Sequence, residues 1–222
     1  MSHAAKQRIY EQFARIGKAL ASPSRLELLD LLGQGERSVE MLARACELSV
    51  ANASQHLQLL YAARLVESRR EGQRVLYRLA DPSVPALWQA LRTTAQKQLA
   101  EVDAVAREYL QGRDEFEPIG RGELLRRMKA GSVTLIDVRP PEEYEQAHLA
   151  GALSVPLEQV RAFARKAPRR KPIVAYCRGP YCVFALQAVS ALTRLGLDAT
   201  RFEDGVQEWS AAGLPLKAGR AS

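Results

Sequence analysis

Three cysteines and three histidines in 222 residues leave little material for a disulfide framework or a multi-ligand metal centre. An odd number of cysteines in a chain this long does not read as a disulfide scaffold and points to a reducing compartment, the cytoplasm. His3, His56 and His148 are scattered without the spacing of ligands, so no metal site is expected. No apolar run approaches the ~20 residues of a membrane span. The first residues also lack the pattern of a secretory signal, so neither a membrane nor an oxidising compartment is expected. Internal repeats and low-complexity segments are absent as well, and no cofactor is expected.

What is present fits one large or two small domains with real cores. The net charge of +7 permits an anionic partner. The excess is spread evenly, with 15 basic against 12 acidic residues in 1–112 and 17 against 13 in 113–222, so neither half is conspicuously cationic.

Chemistry concentrates in Val174–Leu195. An apolar strand from Ile173 to Tyr176 ends at Cys177, Gly179-Pro180 interrupts regular structure, and Val183, Leu186, Val189 and Leu192 then recur at helical spacing. A loop entering a helix offers unpaired backbone N–H groups and the positive end of the helix dipole, which stabilise an anion. A cysteine at its mouth is expected to be thiolate-rich, because such environments lower a thiol pKa from ~8.5. Alternating strands and helices around it, with strands at Val133–Val138, Ile173–Tyr176 and Ala199–Phe202 and helices at Glu123–Met128, Glu158–Ala164 and Cys182–Leu195, imply a parallel sheet. The site of such a sheet lies at the strand C-terminal ends, where Cys177 and Asp137 both fall.

The N-terminal half is helical. Ile9, Phe13, Ile16 and Leu20 mark a helix over Gln7–Leu20, and Ser22-Pro23 starts a second, with Leu26, Leu29 and Leu32 as its apolar face. Ser38 caps Val39–Ala45, and Ser49 caps Val50–Ala62. These two short helices, separated by Cys46-Glu47-Leu48, make a helix-turn-helix candidate, with Cys46 read as a small buried residue of the turn. Val50, Ala53, Leu57 and Leu60 share one arc of the second of them. The opposite face carries Gln55 flanked by Ala51, Asn52 and Gln58, and is amide-rich and nearly uncharged, as suits adenine edges in a major groove. Ser49, Ser54 and His56 stand at its margins, where phosphate contacts are expected. Leu65–Arg70 and Gln73–Leu79 then form a hairpin around Glu71-Gly72, with Arg69, Arg70 and Arg74 placed to touch phosphate or minor groove. Leu87, Leu91, Ala95, Leu99, Val102, Ala106 and Tyr109 recur at near-heptad spacing along one helix from Val84 to Leu110, long enough to pair with its own copy. Charged residues and Pro118 make 113–118 a linker between domains at 1–112 and 119–222.

Two resemblances follow from these residues. Leu135-Ile136-Asp137-Val138-Arg139, Glu143-Tyr144, Ala147-His148-Leu149-Ala150-Gly151-Ala152 with Pro156, the Cys177–Cys182 loop, and Asp204-Gly205 with Trp209 together resemble the rhodanese domains, over Ile119–Leu216. That resemblance implies an α/β domain with a parallel sheet, whose Cys177 thiolate takes a sulfane sulfur while the loop amides hold the persulfide. Within it, Arg178 is expected to favour anionic donors such as thiosulfate or persulfide. Gly179, Pro180 and Tyr181 complete the loop, Tyr176 lines the pocket, and Asp137, Arg139 and His148 serve structure more than catalysis. In this fold the loop curls back toward its start, so Cys182 is expected within reach of Cys177 for a disulfide, which needs Cα atoms within about 7 Å. Pro180 stands where the family has glycine and removes one amide.

Ser49-Val50-Ala51-Asn52-Ala53-Ser54-Gln55-His56-Leu57, then Leu65-Val66-Glu67-Ser68-Arg69 and Gly72 to Leu79, resemble the ArsR/SmtB winged-helix regulators over Ile9–Tyr109. This implies a homodimeric repressor, paired through its first and last helices, on an inverted-repeat DNA operator. The paired cysteines and the Asp and His set of that family's metal sensors are missing. The combined expectation is a DNA-binding regulator that senses or carries persulfide, polysulfide or thiosulfate sulfur on Cys177, with Cys182 as second thiol. The alternative is a sulfurtransferase enzyme whose N-terminal domain serves dimerisation; rapid thiosulfate turnover without DNA binding would select it. A phosphatase or arsenate reductase needs an arginine where Val183 stands, and is set aside.

Overall fold

The computed structural model describes residues 3–110 and 117–220. The chain divides into two compact units, 1–94 and 95–222. Most of the expected linker, 113–116, lies outside the described residues.

The first unit opens with α1 (His3–Leu20) and α2 (Pro23–Leu32). Pro23 occupies the first turn of α2 as expected, but the Ser22 side chain makes no capping bond there. A two-residue strand, β1 (Arg37–Ser38), precedes α3 (Val39–Ala45) and α4 (Val50–Ala62). Here both caps form: Ser38 Oγ accepts from Met41 N at 3.3 Å and Ser49 Oγ from Asn52 N at 3.2 Å. Each satisfies one of the donors that a helix start leaves open. β2 (Val66–Glu71) and β3 (Arg74–Leu79) pair antiparallel from Val66↔Leu79 to Glu71↔Arg74, leaving Gly72-Gln73 as a two-residue turn. Gly72 takes the positive φ, +60°, that such a turn requires. β1, which hydropathy could not reveal, adds to β3 to give the order β1-β3-β2. Leu28, Leu29, Leu42, Ala53, Leu57, Leu60, Val66 and Tyr77 form the core between helices and wing. Cys46 is buried there at the end of α3, as expected.

The long terminal helix is not continuous. It divides into α5 (Ser83–Gln98) and α6 (Ala100–Leu110), with Leu99 between them. Val102 N bonds Leu99 O, three residues back, in place of the four-residue step of an α-helix. Leu87, Leu91, Leu99, Val105 and Tyr109 on these helices are exposed, as are Ile9, Tyr10 and Phe13 on α1. No helix among the described residues is long and apolar enough to cross a membrane.

The second unit is α/β. After α7 (Arg121–Lys129) come β4 (Thr134–Asp137), α8 (Pro141–Gln146), β5 (His148–Leu149), β6 (Leu153–Ser154), and a 3-10 turn at Leu157–Gln159 leading into α9 (Val160–Lys166). Then follow β7 (Ile173–Cys177), α10 (Val183–Arg194), β8 (Ala199–Gly205), α11 (Val206–Ala211) and β9 (Leu216–Lys217). The sheet runs β6-β4-β7-β8, parallel throughout, while β5 and β9 pair separately. Central β7 is buried along its whole length, which is why its sequence is continuously apolar. Its side chains alternate between two cores: Ile173, Ala175 and Cys177 pack with Val189 and Leu192, while Val174 and Tyr176 pack with Leu124, Phe202 and Trp209 on the other face.

Candidate functional site

Parallel strands deliver β4 and β7 side by side, with Asp137 paired to Tyr176, and β7 beside β8, with Cys177 paired to Gly205. The loop leaving β7 is a tight turn in which Cys182 N bonds Gly179 O at 3.1 Å, with Pro180 and Tyr181 at the corner. Proline suits the first corner position of such a turn because its φ is already set. The turn returns Cys182, the residue that starts α10, to a Cα separation of 6.2 Å from Cys177, and the two sulfurs are bonded as a disulfide. Cys177 is thus within reach of Cys182 as expected, but is present as a buried half of a bridge rather than as a free thiolate.

Support for the loop comes from the β8–α11 corner. A Cβ at Gly205 would lie 2.7 Å from Gly179 N and closer still to the Arg178 carbonyl, so only glycine fits there. Gly205 N donates to Glu208 Oε2 at 2.8 Å. The Glu208 carboxylate oxygens in turn lie 3.4 and 3.5 Å from the place a Gly179 Cβ would take. Neither residue was singled out as part of the site, although Gly205-x-x-Glu208 before an apolar turn is a readable helix-start signal.

Arg178 departs from expectation. Its guanidinium is ion-paired with Glu143 at 2.6 Å, an α8 carboxylate only 1 % exposed, and lies 5.3 Å from the centre of the Phe184 ring. It therefore fixes the loop to α8, and its charge is already matched. Asp137 is likewise not presented at the loop: it and Arg139 are fully buried and paired at 2.6 Å, with Arg139 also donating to Ala147 O. Tyr176 does not line a pocket on the Cys177 side. It points into the opposite core, where its hydroxyl accepts from Leu149 N at 3.1 Å. Burial first, and the Asp137 charge second, push that hydroxyl well above the usual phenol range. His148 stacks on Tyr144 and bonds its backbone carbonyl, a structural role. Tyr181 is at the surface, its hydroxyl accepting from Gln96 at 2.6 Å within unit 95–222.

On α4, Asn52 and Gln55 are exposed, and Ser54 and His56 are half-buried. His56 Nδ1 is buried without a hydrogen-bond partner. Gln58 is exposed, but its amide donates to the Tyr77 hydroxyl at 3.0 Å, which ties it to the wing. Val50 is 49 % exposed and is not on the buried arc, because the first turn of α4 projects past the core. On the wing, Arg70 and Arg74 are exposed at the tip. Arg69, expected at phosphate, is held by Glu36 at 2.6 Å and Glu71 at 3.1 Å.

Comparison with known proteins matches both halves. The helix-turn-helix domain family matches residues 20–69 and the rhodanese-like domain family residues 121–212. An HTH-type transcriptional regulator of Mycobacterium tuberculosis, Rv0324, is 45 % identical over 96 % of this chain and 94 % of its own length. The chain belongs to the ArsR/SmtB-type transcriptional regulators that carry a C-terminal rhodanese domain. Over its N-terminal part the regulator is also 39 % identical to a transcriptional repressor SmtB homolog of Synechocystis, across 39 % of this chain and 66 % of that protein. Among solved structures, a homodimeric winged helix-turn-helix fragment from Mycobacterium bovis is 44 % identical, covering 45 % of the regulator and 91 % of the fragment with a TM-score of 0.42. A rhodanese-related protein from Thermoplasma volcanium is 26 % identical, covering 46 % and 98 % with a TM-score of 0.42.

Proposed function

We propose that this regulator represses transcription as a homodimer on an inverted-repeat operator, and that reactive sulfur loaded on Cys177 releases it. The domains are taken as 1–112 for DNA binding and dimerisation and 119–222 for sulfur chemistry. Asn52 and Gln55 read base edges, while Ser49, Ser54, His56, Arg70 and Arg74 meet phosphate. The exposed apolar residues of α1, α5 and α6 supply the face for the second copy, in line with the homodimeric relative. A two-fold dimer implies half-sites about one helical turn apart.

The observation that carries the sulfur reading is the pairing of Cys177 with Cys182 across a rhodanese-type loop in a chain that also holds a DNA-binding unit. A persulfide on Cys177 is open to attack at its inner sulfur by the Cys182 thiolate. That step forms the Cys177–Cys182 bond, breaks the S–S bond of the persulfide and expels hydrosulfide, giving the bridged state. Persulfide or polysulfide therefore converts a flexible dithiol loop into a closed one. Operator titration of reduced protein with and without polysulfide tests the proposal: weaker binding after treatment is expected. Equal affinities, with the bridge confirmed by mass spectrometry, would separate the sulfur chemistry from DNA control.

A further inference from the structure

Charge at the Cys177 loop bears on which sulfur donor it accepts, a question that rests on the sulfur-carrier reading above. Arg178 is the loop's own cation, and Glu143 matches it at 2.6 Å. Glu208 brings a second carboxylate against Gly179, oriented by the Gly205 N–H at 2.8 Å. These three side chains sum to one cation against two carboxylates, and both carboxylates belong to buried residues. Amide donors are also fewer than a loop of this length could offer. Pro180 has none, and that of Cys182 is turned onto Gly179 O. Like charges a few ångströms apart repel far more strongly beside a protein interior than in water. A dianion approaching over Gly179 meets this repulsion, whereas a donor without charge does not.

We infer that Glu208 is a donor-specificity residue, selecting uncharged sulfane-sulfur donors of the alkyl hydropersulfide class over dianionic thiosulfate. In loading, the Cys177 thiolate attacks the outer sulfur of R–S–SH, the donor S–S bond breaks, and R–S⁻ departs, leaving Cys177–S–SH. With thiosulfate the same attack on the outer sulfur expels sulfite and leaves the Cys177 persulfide anion. That route brings two further negative charges to a loop already walled by carboxylates. Donor choice is then set by the β8–α11 corner, outside the cysteine loop itself.

The test uses the reduced full-length chain with Cys182→Ser, so that persulfide accumulates on Cys177, with and without Glu208→Gln. Gln keeps an oxygen acceptor for the Gly205 N–H while removing the charge. Gain of one sulfur atom at Cys177 is followed by mass spectrometry with three donors: thiosulfate, the hydropersulfide of 2-mercaptoethanol, and that of 3-mercaptopropionate, whose side chain adds a carboxylate. Glu208→Gln is expected to speed thiosulfate loading about tenfold and the carboxylated donor by a smaller factor, leaving the uncharged one within about twofold. Added salt is expected to narrow the same gap in the Glu208 protein. Rates that change together for all three donors would mean that Glu208 shapes the loop without sensing charge, and would overturn the inference. A Cys177 that no donor loads would instead sink the sulfur-carrier reading, and this inference with it.

Discussion

Gly205 lies so close beneath the Arg178 carbonyl that no side chain fits between the β8 corner and the cysteine loop. The loop is therefore set from both sides, by this backbone contact and by the Arg178–Glu143 ion pair. Gly205→Ala places a methyl group against rigid backbone instead of a yielding side chain. A loss of on the order of 3 kcal/mol in the stability of the second unit is expected. Urea unfolding followed by Trp209 fluorescence in a Trp88→Phe background measures it. An unchanged midpoint would show that the corner opens at little cost.

The same attention to side-chain commitments separates two glutamines on α4. Gln55 is exposed, whereas the Gln58 amide is held by the Tyr77 hydroxyl. Gln55→Ala is expected to cost about 1–3 kcal/mol of specific operator binding and to relax sequence discrimination. For Gln58→Ala the loss of discrimination is expected to be smaller, because that amide already has a partner. Competition between operator and scrambled DNA reads both; intact discrimination in Gln55→Ala would exclude α4 as the reader.

Wing arginines divide in the same way. Arg70→Ala or Arg74→Ala is expected to lower the slope of log affinity against log salt by about 1, the mark of one lost phosphate contact. Arg69→Ala is expected to leave that slope nearly unchanged, since Glu36 and Glu71 already hold its charge. Titrations over a range of salt concentrations decide it, and a slope that falls equally for all three would mean that Arg69 abandons its carboxylates on DNA.

These distinctions mark what could be read from the chain and what could not. Local signals carried far: Ser38 and Ser49 announced two helix starts, and the apolar run ending at Cys177 announced a central parallel strand. Side-chain pairings between distant elements left no such signal. Arg178 with Glu143 joins residues 35 apart, and Arg69 with Glu36 joins residues 33 apart, so each arginine looked available until the fold supplied its carboxylate. The interruption at Leu99 escaped for another reason. Gln98-Leu99-Ala100 contains no glycine or proline, and the heptad pattern runs straight through it. Tyr176 was misplaced by one step of strand alternation: its neighbour Cys177 faces one core and it must face the other.

The roles assigned to the two loop cysteines make separable predictions. Cys177→Ser removes the sulfur acceptor, so polysulfide is expected neither to load this loop nor to change operator affinity. Cys182→Ser keeps the acceptor and removes the resolving thiol, so a persulfide accumulates on Cys177 and no bridge forms. Both variants, reduced, are expected to bind the operator as the reduced parent does, because neither cysteine lies in the DNA-binding unit. If closing the loop is the signal, Cys182→Ser is as unresponsive as Cys177→Ser despite carrying sulfur. If persulfide alone is the signal, Cys182→Ser responds fully while Cys177→Ser does not. We expect the first pattern, because the 6.2 Å Cα separation already suits a bridge and closing it constrains the start of α10. For regulation, the bridged and open states must differ in operator binding by a coupling free energy of about 1–3 kcal/mol, roughly 5- to 150-fold in affinity. Operator titrations of the parent and both variants, each sample mapped by mass spectrometry before and after polysulfide, distinguish the patterns. A parent whose affinity stays constant once its bridge is shown to have formed would remove Cys182 from any role in DNA control.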